Sequence, residues 1–337
     1  MGSKGSIMSH RRIIGIAVLV VLAGAPSDGR GAEEIPVRIG VIKSAGQADV
    51  TYVIHQFGID KKLGLAVQQV ELSAPGQQYV MLRGGSIDAS PGTFVDLMRQ
   101  RKAGLGLRAF HARQRYNNLI VTKPNSMIEN FSDLKGKKVG NFGTTFLDWM
   151  IVRAAGKRAF GIDLEKDATS IPGSPPLLNQ FLARGEVDAM LQFSTLSVAP
   201  ILKGEQRSII DIPSLMGAAG FSPDAFNSQW HVSDKWMAAH PDGIGKLFSM
   251  IDEAYAKLAT DDSVWPAVAQ QIGMTDPVMI ASYRDLARKT DNAPYDRSLI
   301  AVTQQMLDVI ISITGDGPIG FTRLDPDAFL FPAGSAR

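Results

Sequence analysis

Two periods alternate along this chain. Val37-Arg38-Ile39-Gly40-Val41 changes character at every residue and is rich in β-formers, which predicts a strand. From about Val50 to Lys62 the apolar positions return at helical spacing, until Leu63-Gly64-Leu65 stops them. Val67 to Leu72 is the next strand, and Ser73-Ala74-Pro75-Gly76 opens a helix that ends at Gly84-Gly85. Ile87 to Ser90 follows as a third strand. Pro91-Gly92-Thr93 then starts a helix reaching Lys102, and Leu105 to Phe110 is a fourth strand. Strands that alternate with helices in this way pack as parallel, right-handed β-α-β units.

The pattern then begins again. Asn118 to Thr122 predicts a strand, and Phe131 to Gly136 a short helix before the strand at Val139-Gly140. Asn141-Phe142-Gly143-Thr144-Thr145 leads into a helix reaching about Ala155. Ser174-Pro175 starts another, Arg184-Gly185 ends it, and Val187 to Phe193 is the strand behind it. Past Ser208 to Ile212, the segment Phe226 to Val232 carries the chain back toward its first half. The last third is helical, over Gly243–Ala259, Pro277–Lys289 and Arg297–Ile313.

Positions a hundred residues apart correspond. Leu82-Arg83-Gly84-Gly85-Ser86-Ile87-Asp88-Ala89 matches Leu182-Ala183-Arg184-Gly185-Glu186-Val187-Asp188-Ala189, a common Leu-x-x-Gly-x-Ile/Val-Asp-Ala. Pro75 answers to Pro175, Ile39-Gly40 to Val139-Gly140, and Ser44 to Thr144. This repeat is too long for a solenoid unit and suits a domain. It implies an α/β fold of two similar lobes, each a mostly parallel sheet flanked by helices, hinged around a central cleft. Residues 32–113 would form the first lobe and 114–227 the second. Residues 228–337 would return to the first lobe and add the C-terminal helices.

The first 31 residues stand apart from this pattern. His10-Arg11-Arg12, the apolar run Ile13 to Ala25 and the small residues Gly29 to Ala32 have the order of a cleaved export signal. That run is shorter than the ~20 residues a membrane helix needs. The leader holds four basic residues and one acidic one, so the remaining 306 residues carry 31 basic and 32 acidic side chains. A net charge of −1, with no basic run interleaved with aromatics, gives no footprint for nucleic acid. The absence of cysteine in an exported chain of this size suits the bacterial periplasm.

Catalytic and metal chemistry find little support. His55, His111, His231 and His240 show no ligand spacing, there is no Gly-x-Ser-x-Gly elbow, and no phosphate-cradling glycine loop occurs. No cofactor, metal or catalytic residue is expected. What remains are the turns beyond the strand ends, where ligands bind in open α/β sheets. These turns are rich in hydroxyls and amides, and each precedes a helix, whose free N–H groups favour an anionic or strongly polar ligand. A hydroxyl at one such turn simply caps its helix; six turns facing one cleft make a site. The expected ligand-binding residues are Ser44, Gln47, Gln77 and Thr93 on one side, with Gly143, Thr144 and Thr145 on the other. His111 lies where the chain leaves the first lobe, and Phe193 and Trp230, with Phe142, offer rings for stacking. Asp49 and Asp148 sit one helical turn further in, so a cationic solute is disfavoured.

Several motifs together carry a family resemblance. They are Phe57-Gly58-Ile59-Asp60-Lys61-Lys62-Leu63-Gly64-Leu65, the two Gly-x-Ile/Val-Asp-Ala repeats, Asp133-Leu134-Lys135-Gly136-Lys137-Lys138-Val139-Gly140, and Val232-Ser233-Asp234-Lys235 before His240-Pro241. From Val37 to Pro241 the chain resembles the type II periplasmic solute-binding proteins of ABC importers. Within them it is most similar to the nitrate, alkanesulfonate, taurine and thiamine-precursor branch. It departs from relatives that carry Tyr-Val-Ala on the first helix, having Thr51-Tyr52-Val53-Ile54. The resemblance implies a monomeric periplasmic protein that closes on a small polar or anionic organic solute and passes it to an inner-membrane ABC permease. Two alternatives stay open: a ligand-sensing module acting on a receptor, and a small-molecule enzyme of the same fold. Pyrimidine-synthase and desulfinase relatives work through cysteines, which this chain lacks. The solute's identity, the cleavage site and the export route are not written in these residues.

Overall fold

The computed structural model describes Gly2 and residues 34–42, 46–73, 76–291 and 293–332. The rest of the leader and Ser44 lie outside them. Two five-stranded sheets organise residues 34–332. The first contains β1 (Ile35–Val41), β2 (Leu65–Glu71), β3 (Ala89–Thr93), β4 (Leu107–Gln114) and β10 (Ser228–Ser233), in the order β2-β1-β3-β10-β4. The second contains β5 (Leu119–Thr122), β6 (Lys138–Asn141), β7 (Thr169–Pro172), β8 (Ala189–Gln192) and β9 (Arg207–Asp211), in the order β7-β6-β8-β5-β9. In each sheet one strand runs against its neighbours: β10 pairs antiparallel with β3 and β4, and β5 with β8 and β9. Each of these reversed strands is the first one laid down after the chain crosses between sheets. The two lobes therefore share one topology, and each borrows a strand beside its crossing point.

The hundred-residue register is physical. Ala89 pairs with Ile39 across β3 and β1, and Ala189 with Val139 across β8 and β6. Ahead of each pair, the Asp88 N–H donates to the Arg38 carbonyl and the Asp188 N–H to the Lys138 carbonyl, both at 2.8 Å. In return the Asp88 carboxylate accepts from the Arg38 N–H, and Asp188 from the Lys138 N–H, again at 2.8 Å. The repeated Asp thus fastens the incoming strand to the first one by two reciprocal bonds. Gly85 and Gly185 hold φ of 67° and 78°, the left-handed turn that ends each preceding helix at little cost without a Cβ. Leu82, Ile87, Leu182 and Val187 are buried and anchor the same turns in apolar packing.

Packing joins these elements into one body. Val37, Ile39 and Val41 of β1 meet Trp230, Trp265 and the long helix Gly243–Thr260 on one face of the first sheet. On the other, Phe94 and Leu107 belong to a cluster that continues to Trp149 and Ile151 of helix Leu147–Phe160 and to Leu307 of helix Ser298–Thr314. Truncating a buried aromatic such as Phe131 or Trp149 would cost about 3–5 kcal/mol.

Some boundaries differ from the sequence pattern. Gly58, at φ 60°, breaks the first helix into Asp49–Phe57 and Ile59–Lys62. Pro91-Gly92-Thr93 belongs to β3 rather than to a helix start, because pairing with β10 extends the strand. β4 continues past Phe110 to Gln114 for the same reason. The short β7 and the helix Trp265–Gln270 span too few residues to show a period.

Candidate functional site

The carboxyl ends of the parallel strands mark where the two lobes face each other. Contact across them is direct: Arg99 of helix Phe94–Lys102 donates to the Thr145 carbonyl at 3.4 Å, and Thr195 lines a crevice with Asp49, Arg113 and Tyr283. A groove of about 520 Å³ between Met98, Lys102, Gly106 and Arg323 lies at the other end of the first sheet, where β4 begins. Topology, not volume, locates the site.

In the second lobe the strand ends carry rings. Phe142 follows β6 and Phe193 follows β8, with centroids 4.7 Å apart, and Phe146 stands perpendicular to Phe142 at 5.0 Å. All three are only partly buried. Beside them Asp148, in the first turn of helix Leu147–Phe160, accepts from the Asn118 amide, and the Asn118 carbonyl accepts from the Ser194 N–H at 3.3 Å. Burial pushes the Asp148 carboxyl up to about 6, against the stabilising Asn118 bond.

The first lobe presents charge instead. β4 bulges twice against β10, and one bulge leaves Arg113 unpaired between Ala112 and Gln114. The extra residue re-aims its side chain inward. Arg113 is 4 % exposed; it donates to the Gly46 carbonyl at 2.6 Å and to Gln114 Oε1 at 2.8 Å, while its Nε has no partner. Asp49 accepts from the Val50 N–H at 3.1 Å and from Tyr283 Oη at 3.3 Å. Asp291 follows helix Pro277–Thr290 and bridges to Gln114, with its Oδ1 enclosed and unpartnered. Burial, then the neighbouring Asp49, raises the Asp291 carboxyl to about 7, although Arg113 opposes the shift. Asp49 is raised by burial, again against Arg113.

The residues expected from sequence divide accordingly. Phe193 and Phe142 stand together at the second lobe's edge, and Thr144 and Thr145 are exposed there. Those threonines precede the helix rather than begin it: Leu147 is its first residue and Phe146 its cap. The Gly143 N–H is held by Asn141 Oδ1 at 2.8 Å. Gln47 and Gln77 accept from the Ile42 and Ser73 N–H groups, fastening their own loops. Thr93 caps helix Phe94–Lys102 and bonds Asp96, so its hydroxyl is engaged. His111 and Trp230 do not line the crevice. His111 is buried against Tyr255 and bonds Asp252 at 2.9 Å, and Trp230 is fully buried and donates to Tyr255 Oη at 3.1 Å. Sequence reasoning missed Arg113, Asn118 and Asp291, and placed Asp49 and Asp148 as side issues. The latter two follow the equivalent strands β1 and β6 at nearly the hundred-residue offset, a signal present in the repeat. Among the described residues no group of three His, Asp or Glu is placed to hold a metal, and no helix is long and apolar enough to cross a membrane.

Comparison with known proteins agrees with this fold. The family model described as NMT1/THI5 like matches residues 50–262, more than half of the chain. A Brucella abortus protein named as a candidate binding protein is 23 % identical over 227 residues, covering 66 % of this chain and 67 % of its own. Among solved structures, the Xanthomonas axonopodis alkanesulfonate-binding protein SsuA bound to MOPS superposes with a TM-score of 0.70 at 18 % identity, covering 89 % and 99 % of the two chains. The Escherichia coli periplasmic aliphatic sulphonate binding protein SsuA gives 0.67 at 22 %, covering 82 % and 87 %. A DszB mutant in complex with biphenyl-2-sulfinic acid gives 0.61 at 14 %, covering 87 % and 95 %. These neighbours share the two-lobed periplasmic binding protein fold.

Proposed function

The chain belongs to the NMT1/THI5-like family, and from that premise we propose that it is the solute-binding component of an ABC importer, working in the periplasm. It captures a small anionic or strongly polar organic solute between its lobes and presents the closed form to a permease. The observation that carries this reading is the crevice itself. Two copies of one topology face each other across their carboxyl edges, with half-exposed rings of Phe142, Phe146 and Phe193 on one side and the Arg113 cluster on the other. Rings cover the apolar body of an organic solute, and the polar groups orient its head. The sulfonates bound by structural neighbours are consistent with that division of labour.

The DszB neighbour favours a second reading, an enzyme on the same fold. The desulfinase route runs through a cysteine, and this chain has none, so binding without turnover is the better-supported function. The experiment is a thermal-shift panel of sulfonates, carboxylates, nitrate, aromatic acids and pyrimidines, with each compound assayed afterwards for consumption. A solute at a hundredfold excess over its Kd adds ~2.7 kcal/mol, a shift of several degrees for a protein of this size. Stabilisation with the compound unchanged supports capture; consumption of any compound with no shift overturns it.

A further inference from the structure

Arg113 is an unusual buried arginine. Its two hydrogen-bond partners, the Gly46 carbonyl and Gln114 Oε1, are neutral oxygens, and its Nε–H points to no acceptor. Asp49 and Asp291 act on it through space rather than as bonded partners. The fields of Asp291 and Asp49 keep this guanidinium charged although it is withdrawn from water, but its Nε–H donor stays open, and an unmet donor in the interior costs free energy. Across the crevice stands Thr195, second residue of helix Ser194–Leu202 in the other lobe. That helix start adds a partial positive charge facing the guanidinium. Resting on the reading of the chain as a binding protein, we propose that Arg113 anchors an oxyanion of the solute, a sulfonate or carboxylate, between its guanidinium and the start of helix Ser194–Leu202. Thr195 and Arg113 line one narrow crevice in the present arrangement, so the oxyanion enters when the lobes part.

The cluster also couples the anion to a proton. Groups facing Arg113 come from every element around it: Asp49 from helix Asp49–Phe57, Tyr255 from helix Gly243–Thr260, Tyr283 from helix Pro277–Thr290, and Asp291 behind it. The tyrosines are held neutral by burial. Asp291, which exchanges its proton near pH 7, is the group an arriving anion would repel in its charged form. Anion binding then takes up a proton, and affinity falls by up to tenfold per pH unit above 7.

The test measures binding of MOPS, methanesulfonate and benzoate, with cytosine and benzamide as neutral probes, by calorimetry at pH 6 and 8. Arg113→Gln should weaken anion binding at least tenfold, the worth of one hydrogen bond to a charged group, and leave neutral probes unaffected. Asp291→Asn, which keeps the guanidinium, should bind anions more tightly at pH 8 and flatten the pH dependence. Circular dichroism verifies that both variants fold. If anions bind equally well to wild type and Arg113→Gln, or wild type binds only neutral probes, the anchor is wrong while the binding function stands. If wild type binds nothing in the panel, both readings fall together.

Discussion

Each lobe buries an arginine, and the two are partnered differently. In the second lobe Arg153 lies in helix Leu147–Phe160 and forms a two-pronged pair with Asp163, Nε to Oδ1 at 2.9 Å and the terminal nitrogen to Oδ2 at 3.1 Å. Its fork is matched by the geometry of one carboxylate. In the first lobe Arg113 has neutral oxygens for partners and an unused donor. The scaffolds beneath are alike, down to the Asp88 and Asp188 fastenings. Divergence is concentrated at the strand ends, where one lobe gathers charge and the other rings. A duplicated fold thus keeps its repeat where strands must be held and spends its differences where a solute would touch.

The largest expected contrast lies between those arginines. Asp163→Ala strands a buried guanidinium and should cost about 3–5 kcal/mol. Arg113→Gln should cost only about 1 kcal/mol, since it removes two modest hydrogen bonds while the neighbouring carboxyls, already raised by burial, take up protons in its absence. Urea unfolding of the two variants reads the difference; equal costs would mean Arg113 is as structural as Arg153. A smaller contrast concerns the strand fastenings. Asp88 also pairs with the Arg38 side chain, at 2.7 and 2.9 Å, whereas Asp188 is exposed and holds only the Lys138 backbone. Asp88→Ala should cost about 1.5 kcal/mol and Asp188→Ala about 0.5 kcal/mol, because solvent screens both sites. The reverse order in the same melts would break the equivalence drawn between the lobes.

A third contrast is in pH. Asp291 and Asp148 are raised to about 7 and about 6, so the folded protein keeps protons that the unfolded chain releases near pH 4. Stability is therefore greatest in acid with respect to these groups and declines as pH rises, up to about 6 for Asp148 and about 7 for Asp291. Asp148→Asn should flatten the lower part of that decline, and Asp291→Asn should flatten it one unit further. Thermal melts at half-unit steps from pH 4 to 8 show whether the two windows separate. Identical profiles would remove the electrostatic distinction between the lobes.

Much of the scaffold could be read from local pattern. Gly85, Asp88, Gly185 and Asp188 recur because each ends a helix and fastens the next strand, a job done within a few residues. The ends of the three long C-terminal helices fall within a residue of their sequence period. The crevice was less legible. Which face of β10 and β4 turns inward depends on two bulges, so Trp230 and His111 read as cleft residues and Arg113 did not. Asp291 reaches Arg113 from far along the chain, and no local signal links them. Thr144 and Thr145 read as a helix start because the true start, at Leu147 behind Phe146, has no hydroxyl cap to announce it.

Capture requires that a solute be held between the two lobes. A crystal structure of the protein with the compound giving the largest thermal shift tests it directly. The solute should touch both sides at once, its apolar body against Phe142, Phe146 and Phe193 and its charged head toward Arg113 and Thr195. A solute contacting one lobe only, or seated in the groove between Met98 and Arg323, would contradict it.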